Sequence, residues 1–177
     1  MILVRERLRT LELPVLFSWF MIYSAIGWFY ETSYCYLTTG RLMNRGFLYG
    51  PLIPIYGLSI LAMIVLFANR CQSILSLFLS CAMVATALEY FSSYWMELVF
   101  QRRWWNYSKM MFNINGRVCL GASILFGLCG VLFVRFIHPM ILRILNYFSD
   151  SFLRRANRIM LTLFLMDVML SFRRSLL

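Results

Sequence analysis

Charge is scarce in this chain, and acidic charge scarcest of all. Seven Asp and Glu stand among 177 residues, and 14% of the chain is charged, against about 25% in an ordinary soluble domain. With 62% hydrophobic residues and a mean hydropathy of +0.74, that poverty excludes a soluble domain of usual composition. Lysine is nearly missing: Lys109 stands beside sixteen arginines. There is one histidine, His138, and the five cysteines (Cys35, Cys71, Cys81, Cys119 and Cys129) form no CxxC pair. Metal-ligand spacing is therefore absent, the cysteines read as small apolar packing residues, and no metal or other cofactor is implied. No GxxxxGK[ST] loop occurs, so ATP hydrolysis would need another chain. No nucleophile–histidine pair or metal set is visible, so no catalytic residue is nominated and an enzyme is not expected. The net charge of +10 comes without a nucleic-acid fold signature. The basic residues lie between apolar runs, which suits lipid headgroups and topology signals rather than a nucleic-acid partner.

Long apolar runs are what the chain has instead. Several windows go about 20 residues without a fixed charge, the length that crosses ~30 Å of hydrocarbon. The expected fold is an all-α polytopic membrane helical bundle, a single membrane domain over 1–177 with about five transmembrane helices and re-entrant or interrupted loops at one face. The helices are predicted at about 13–37, 51–68, 73–100, 118–137 and 155–172. Pro14 fits a first helical turn, where its missing N–H leaves nothing unpaired, and helix 4 is expected to end near His138 and Pro139. The mixed basic and apolar segment at about 140–154 suits an amphipathic helix in the interface. The last apolar run, 159–172, is short for a span and holds Asp167; it either borrows residues back to Ser151 or is re-entrant. The charged residues 1–12 precede a long span with no small-residue cleavage site, which predicts a retained first helix and no signal peptide. On five spans the basic residues divide nine against eight between the two sides, so the positive-inside rule gives no orientation.

The loops after helices 1 and 3 share one side of the membrane, and both are unusual. The first runs through Asn44, Arg45, Gly46, Tyr49, Gly50, Pro51, Pro54, Tyr56 and Gly57. The second runs through Trp104, Trp105, Asn106, Tyr107 and Ser108 to Asn113, Asn115, Gly116 and Arg117. Each holds Asn, Gly and Arg just before a new helix, whose N-terminus offers free N–H groups and a positive dipole end. Glycine lets backbone approach a ligand and proline interrupts a helix, which is how membrane proteins build sites from broken helices. The alternative is a tight tryptophan-anchored loop at the headgroups.

Each loop follows a helix with carboxylates. Ser24, Gly27, Trp28 and Glu31 share one face of helix 1, and Thr86, Glu89, Ser93 and Glu97 share one face of helix 3. A carboxylate in hydrocarbon costs roughly 2.5–3.5 kcal/mol on insertion scales, so it is kept only where it is paired, protonated or lining water. At 1.5 Å per residue Glu31 lies ~9 Å and Glu89 ~16 Å from the helix end. A polar cluster of Glu31, Glu89, Arg45 and Arg117 is the hypothesis, either binding a ligand or locking helix packing. Asp167 is expected to pair with Arg173 or Arg174. Helices 1–2 and 3–4 look loosely alike, as in a parallel repeat, and Ser123, Gly127 and Gly130 on helix 4 read as close-packing residues.

The string Tyr23, Ser24, Gly27, Trp28, Glu31, then Asn44 to Pro54, Tyr56 and Gly57, resembles the ABC-transporter type IV membrane family of bacteria. Glu89 to Glu97, Trp104 to Ser108 and Asn113 to Cys119 continue the resemblance, which covers about 20–127. One departure stands out: where the family usually has Asp in a Trp-Asp-Tyr-Ser string, this chain has Asn106, which keeps hydrogen bonds and loses charge.

The resemblance implies a permease-like transport component of the cell membrane, multi-pass, in contact with the lipid bilayer. It also implies a separate ATPase or other membrane subunit, or a second copy of the chain, to complete a pathway. The candidate binding residues are Glu31, Asn44, Arg45, Tyr49, Tyr56, Glu89, Glu97, Trp105, Asn106, Tyr107, Asn113, Asn115 and Arg117. The other reading is a non-transporting membrane regulator, assembly factor or lipid-interacting subunit.

Overall fold

The computed structural model describes residues 13–44, 46–70 and 73–176. Arg45, Cys71 and the charged stretch 1–12, about which the sequence raises expectations, lie outside the described residues. Five helices carry the fold: α1 Leu13–Thr39, α2 Pro54–Phe67, α3 Ile74–Phe100, α4 Leu120–Leu132 continued into α5 His138–Leu145, and α6 Asp150–Leu176. The strand content among the described residues is one two-stranded hairpin, β1 Asn113–Ile114 and β2 Val118–Cys119. Three helices are long and apolar enough to cross a membrane: Leu13–Thr39, Ile74–Phe100 and Leu120–Leu145. They leave Phe29, Met83, Phe91 and Phe136 exposed, an apolar surface that lipid covers and water would not. This is a membrane protein.

The helix ends follow from local chemistry. Pro14 occupies the first turn of α1. Gly40, at φ +69°, closes the other end in the left-handed conformation, and its N–H donates to Tyr36 O at 2.8 Å. Ser73 caps α3, its Oγ accepting the Ser76 N–H at 3.1 Å. Gln101 ends that helix at φ 53° with its N–H on Glu97 O.

Two expected boundaries are corrected. Helix 4 does not stop at His138 and Pro139: it runs on to Leu145, so residues 140–145 of the expected interfacial segment are the end of a long helix. A proline inside a helix clashes with the carbonyl four residues back, here that of Arg135. Residues Phe133–Ile137 form a π-turn in which the His138 N–H reaches back to Phe133 O, and this wider turn carries the chain past the proline. The last helix is 27 residues long rather than about 18: it begins at Asp150, in line with the alternative that it borrows residues back to Ser151, and runs on past 172 to Leu176.

The chain divides into two compact units, residues 1–61 with 139–177, and residues 62–138. In the first, α6 lies along α1. Asn157 bridges their starts, donating from Nδ2 to Pro14 O at 2.7 Å and accepting from Ser18 Oγ at 2.9 Å. Farther along, Phe20 and Phe164 meet edge to face at 5.6 Å. The core there holds Trp19, Tyr23, Cys35 and Leu48. In the second unit, α3 packs on α4 through small residues. A Cβ added at Gly130 would lie 2.5 Å from Cys81 Cβ, and one at Gly127 2.7 Å from the Phe78 ring. Thr86 Oγ1 donates to Ser123 Oγ at 2.7 Å across the same pair. Close backbone approach of this kind replaces the hydrophobic drive that lipid-embedded helices lack.

Candidate functional site

The loops after α1 and α3 each turn back along the helix they follow. In the first unit the chain leaves α1 at Thr39, yet Ile53 N–H donates to Ser24 O at 3.1 Å. Ser24 lies fifteen residues before the end of α1, or ~22 Å along its axis. Helix α2, 14 residues long, therefore starts well down the flank of α1. Two glycines allow the contact. A Cβ at Gly57 would meet Ser24 Oγ and come within 2.6 Å of Phe20 O, and Gly27 is covered by the Tyr56 ring.

Irregular backbone at membrane depth is stable only if its polar groups are answered within the protein. Asn44 answers several. Its Oδ1 accepts the Trp28 indole N–H at 3.1 Å and the Gly46 N–H at 3.1 Å, and its Nδ2 donates to Leu48 O and Tyr49 O. Asp167 of α6 answers from the other side. Its Oδ1 accepts the Tyr49 N–H at 2.9 Å and its Oδ2 the Gly50 N–H at 2.8 Å, while Ser171 Oγ donates to Oδ1 at 3.0 Å. Arg174 donates to Phe47 O at 2.7 Å and stacks 3.9 Å over the exposed ring of Tyr49. The expected partner of Asp167 was Arg173 or Arg174; the structure gives it two backbone N–H groups and a hydroxyl, and turns Arg174 to the loop carbonyl. Two adjacent N–H donors in a turn form an anion-binding nest, and here the protein's own carboxylate fills it. Glu31, half-buried, accepts the Tyr56 hydroxyl at 3.0 Å.

In the second unit the returning segment is the hairpin. Asn113 pairs with Cys119 and Ile114 with Val118 around Asn115 and Gly116, at φ 52° and 67°. Two consecutive positive φ values at Asn-Gly are the mark of a type I′ turn, closed by Arg117 N–H to Ile114 O at 2.9 Å. The hairpin sets Ser123 against Thr86, fourteen residues before the end of α3, or ~21 Å along it.

Two arginines of this unit gather on Glu97. Arg117 is 7% exposed and ion-pairs with Glu97. It also donates to Ser93 Oγ at 3.3 Å and lies over the rings of Tyr90 and Tyr94. Arg103 reaches the other Glu97 oxygen through Nε at 2.7 Å and donates from Nη1 to Asn115 O at 3.0 Å. That carboxylate raises the pKa of Arg103 above its already high ordinary value, so the cation persists at any physiological pH. Trp105 donates its indole N–H to Arg117 O at 2.9 Å, and Asn115 Nδ2 donates to Tyr90 OH at 2.9 Å. Glu89, buried, accepts the Tyr107 hydroxyl at 2.9 Å.

The two loop asparagines shape backbone. Asn106 Oδ1 accepts the Ser108 N–H at 2.9 Å and its hydroxyl. Asn113 donates to Met110 O at 2.8 Å and accepts the Gly116 N–H at 3.0 Å. Asn106 is used here for its oxygen, a local task that needs no charge.

The expected four-residue cluster is thus resolved by unit. Glu31 belongs to the first and Glu89 and Arg117 to the second, and the carboxylate that Arg117 meets is Glu97. Glu89 and Glu97 lie four residues either side of Ser93; the hairpin sets Arg117 on Ser93 and Glu97, and Tyr107 answers Glu89. Sequence reasoning missed Asp167 and Arg174 as members of the first site and the hairpin in the second. The Asn-Gly pair was the available cue for the hairpin; Asp167 is marked by its place in an apolar run, but nothing local points to its partners, which lie 117 and 118 residues away.

No curated protein and no solved structure matches the chain. Residues 18–172 match the family described as "Putative ABC-transporter type IV", a stretch that takes in both returning loops and the Asp167 contact, and the chain belongs to that family.

Proposed function

We propose that this protein is a permease-like transport component of the cell membrane, crossing it several times and working with a separate ATPase, and that it is not itself an enzyme. The observation that supports the reading most is the start of α2 and of α4 deep along the flank of the preceding helix. Helices that begin inside the membrane, with their positive N-terminal ends and interrupted backbone, are the means by which transporters present donors to a substrate. The polar residues of the two loops and of the helices beside them, Glu31 with Tyr56 and Glu89 with Tyr107 among them, are the candidate contacts. The test is affinity purification of the full chain from its native membrane. A stoichiometric partner carrying a GxxxxGK[ST] loop is the expected result, and its absence from gently solubilised, correctly folded protein would overturn the reading.

One observation favours a second reading, a non-transporting regulator, assembly factor or lipid-interacting subunit. Asn44, Asn106, Asn113 and Arg117 spend their hydrogen bonds on the chain itself, as scaffold residues do. Purification without an ATPase supports it.

A further inference from the structure

We propose that α3 and the hairpin hold one anionic phospholipid, its acyl chain in an apolar groove along α3 and its phosphate on Arg103. The groove, about 430 Å³, is lined by Met83, Ala87, Tyr90 and Phe91 of α3 and by Ile114 and Val118 of the hairpin, with almost no polar surface. Met83, Phe91 and Ile114 stand exposed there. Its α3 residues span Ala82 to Phe91, ~14 Å at 1.5 Å per residue. That is close to one leaflet, half of a ~30 Å hydrocarbon core. A partner helix would need a seat over the full span; an acyl chain needs one leaflet.

The charge lies at one end. Arg103 bonds Asn115 O, Asn115 bonds Tyr90 OH, and Tyr90 lines the groove. The Arg103 side chain is 32% exposed, with Nε on Glu97 and Nη1 on Asn115. Its Nη2 has no hydrogen bond among the described residues and is open to a phosphate oxygen. The segment 101–117 carries four basic residues and no acid, and Glu97 offsets one of them, so the end of the groove is cationic. This site is independent of the transport reading, since it rests on α3 and the hairpin alone.

The experiment is native mass spectrometry of the delipidated full chain, offered dioleoyl phosphatidylglycerol or dioleoyl phosphatidylcholine. Retention of phosphatidylglycerol about tenfold over phosphatidylcholine, or ~1.4 kcal/mol, is expected, because both lipids offer a phosphate but the choline cation of the second meets the cationic end of the groove. Ala87→Trp, which fills the groove from an exposed helical position, is expected to abolish retention of both lipids with helicity unchanged. Arg103→Gln is expected to erase the preference while leaving weak binding. Equal retention of the two lipids by the wild type overturns the proposal. So does undiminished phosphatidylglycerol on Ala87→Trp, which decides the matter even if Arg103→Gln fails to fold. Displacement of the lipid by inorganic phosphate alone, or crosslinking of Met83→Cys to a second copy of the chain, would equally overturn it.

Discussion

Gly116 shows how much one residue can be asked to do. It stands at φ +67°, and a Cβ there would lie 2.7 Å from Ser108 Oγ and 2.8 Å from Asn106 Oδ1. Gly40 has nearly the same φ, +69°, but open space around it. An alanine in the left-handed region costs about 1–2 kcal/mol, so Gly40→Ala should lower stability by that amount alone. Gly116→Ala adds the collision with the Asn106 turn and should lose clearly more. Thermal unfolding of the two variants in the same detergent checks the order, and equal losses would mean that the Asn106 turn yields freely. In the same turn the Asn106 oxygen has two donors to meet, and neither needs a charge. Side-chain identity was legible at such positions in the sequence, where Asn and Gly announce a turn. What could not be read there was the partner, because Ser108 and Gly116 are joined only once the hairpin has closed.

At the scale of elements, the helices themselves were legible because length and hydropathy are local properties. Their ends were legible where a cap lies in the chain, as with Pro14, and misread where the cause is a change of helix type, as at Pro139. The depth of the loops was not legible, since it depends on contacts such as Ile53 with Ser24 and Tyr49 with Asp167. The Asp167 contact carries a prediction. Both carboxylate oxygens accept from backbone N–H groups, so Asp167→Asn turns an NH2 group toward one of those donors. Leaving a partly buried donor unanswered costs about 1–3 kcal/mol. Asp167→Asn should therefore destabilise the protein by that order and speed amide exchange selectively at Tyr49 and Gly50, with exchange in the hairpin unchanged. Uniform exchange rates across both loops after the substitution would show that the carboxylate is not what holds the turn. Glu31 and Glu89 are answered differently, each by a tyrosine hydroxyl. Two unlike segments thus meet the same requirement, that a carboxylate kept in an apolar helix be given a donor.

For the whole molecule the question is how many times the chain crosses. Contacts along α6 run in step with α1: Asn157 lies at Pro14 and Ser18, Phe164 at Phe20, and Asp167 at the loop that reaches Ser24. The two helices are therefore parallel. From Asn157 to Arg174 is ~26 Å of helix, nearly the hydrocarbon thickness, although the charged residues of α6 keep it from standing out as a span by composition. If α1 and α6 cross in the same direction, the chain between them must cross an odd number of times. Helices α3 and α4–α5 are long and apolar enough to supply two crossings; the third would then fall to α2 with the descending loop before it. The short α2 is then a full crossing whose first part is not helical, held open by Asn44 and Asp167. In a cysteine-free background, Ser151→Cys and Leu176→Cys should be labelled by an impermeant maleimide from opposite sides of the membrane. Arg41→Cys should label from the side of Leu176→Cys. Labelling of positions 151 and 176 from one side would remove α6 from the membrane, and with it the requirement that α2 and the loop held by Asn44 and Asp167 make a full crossing.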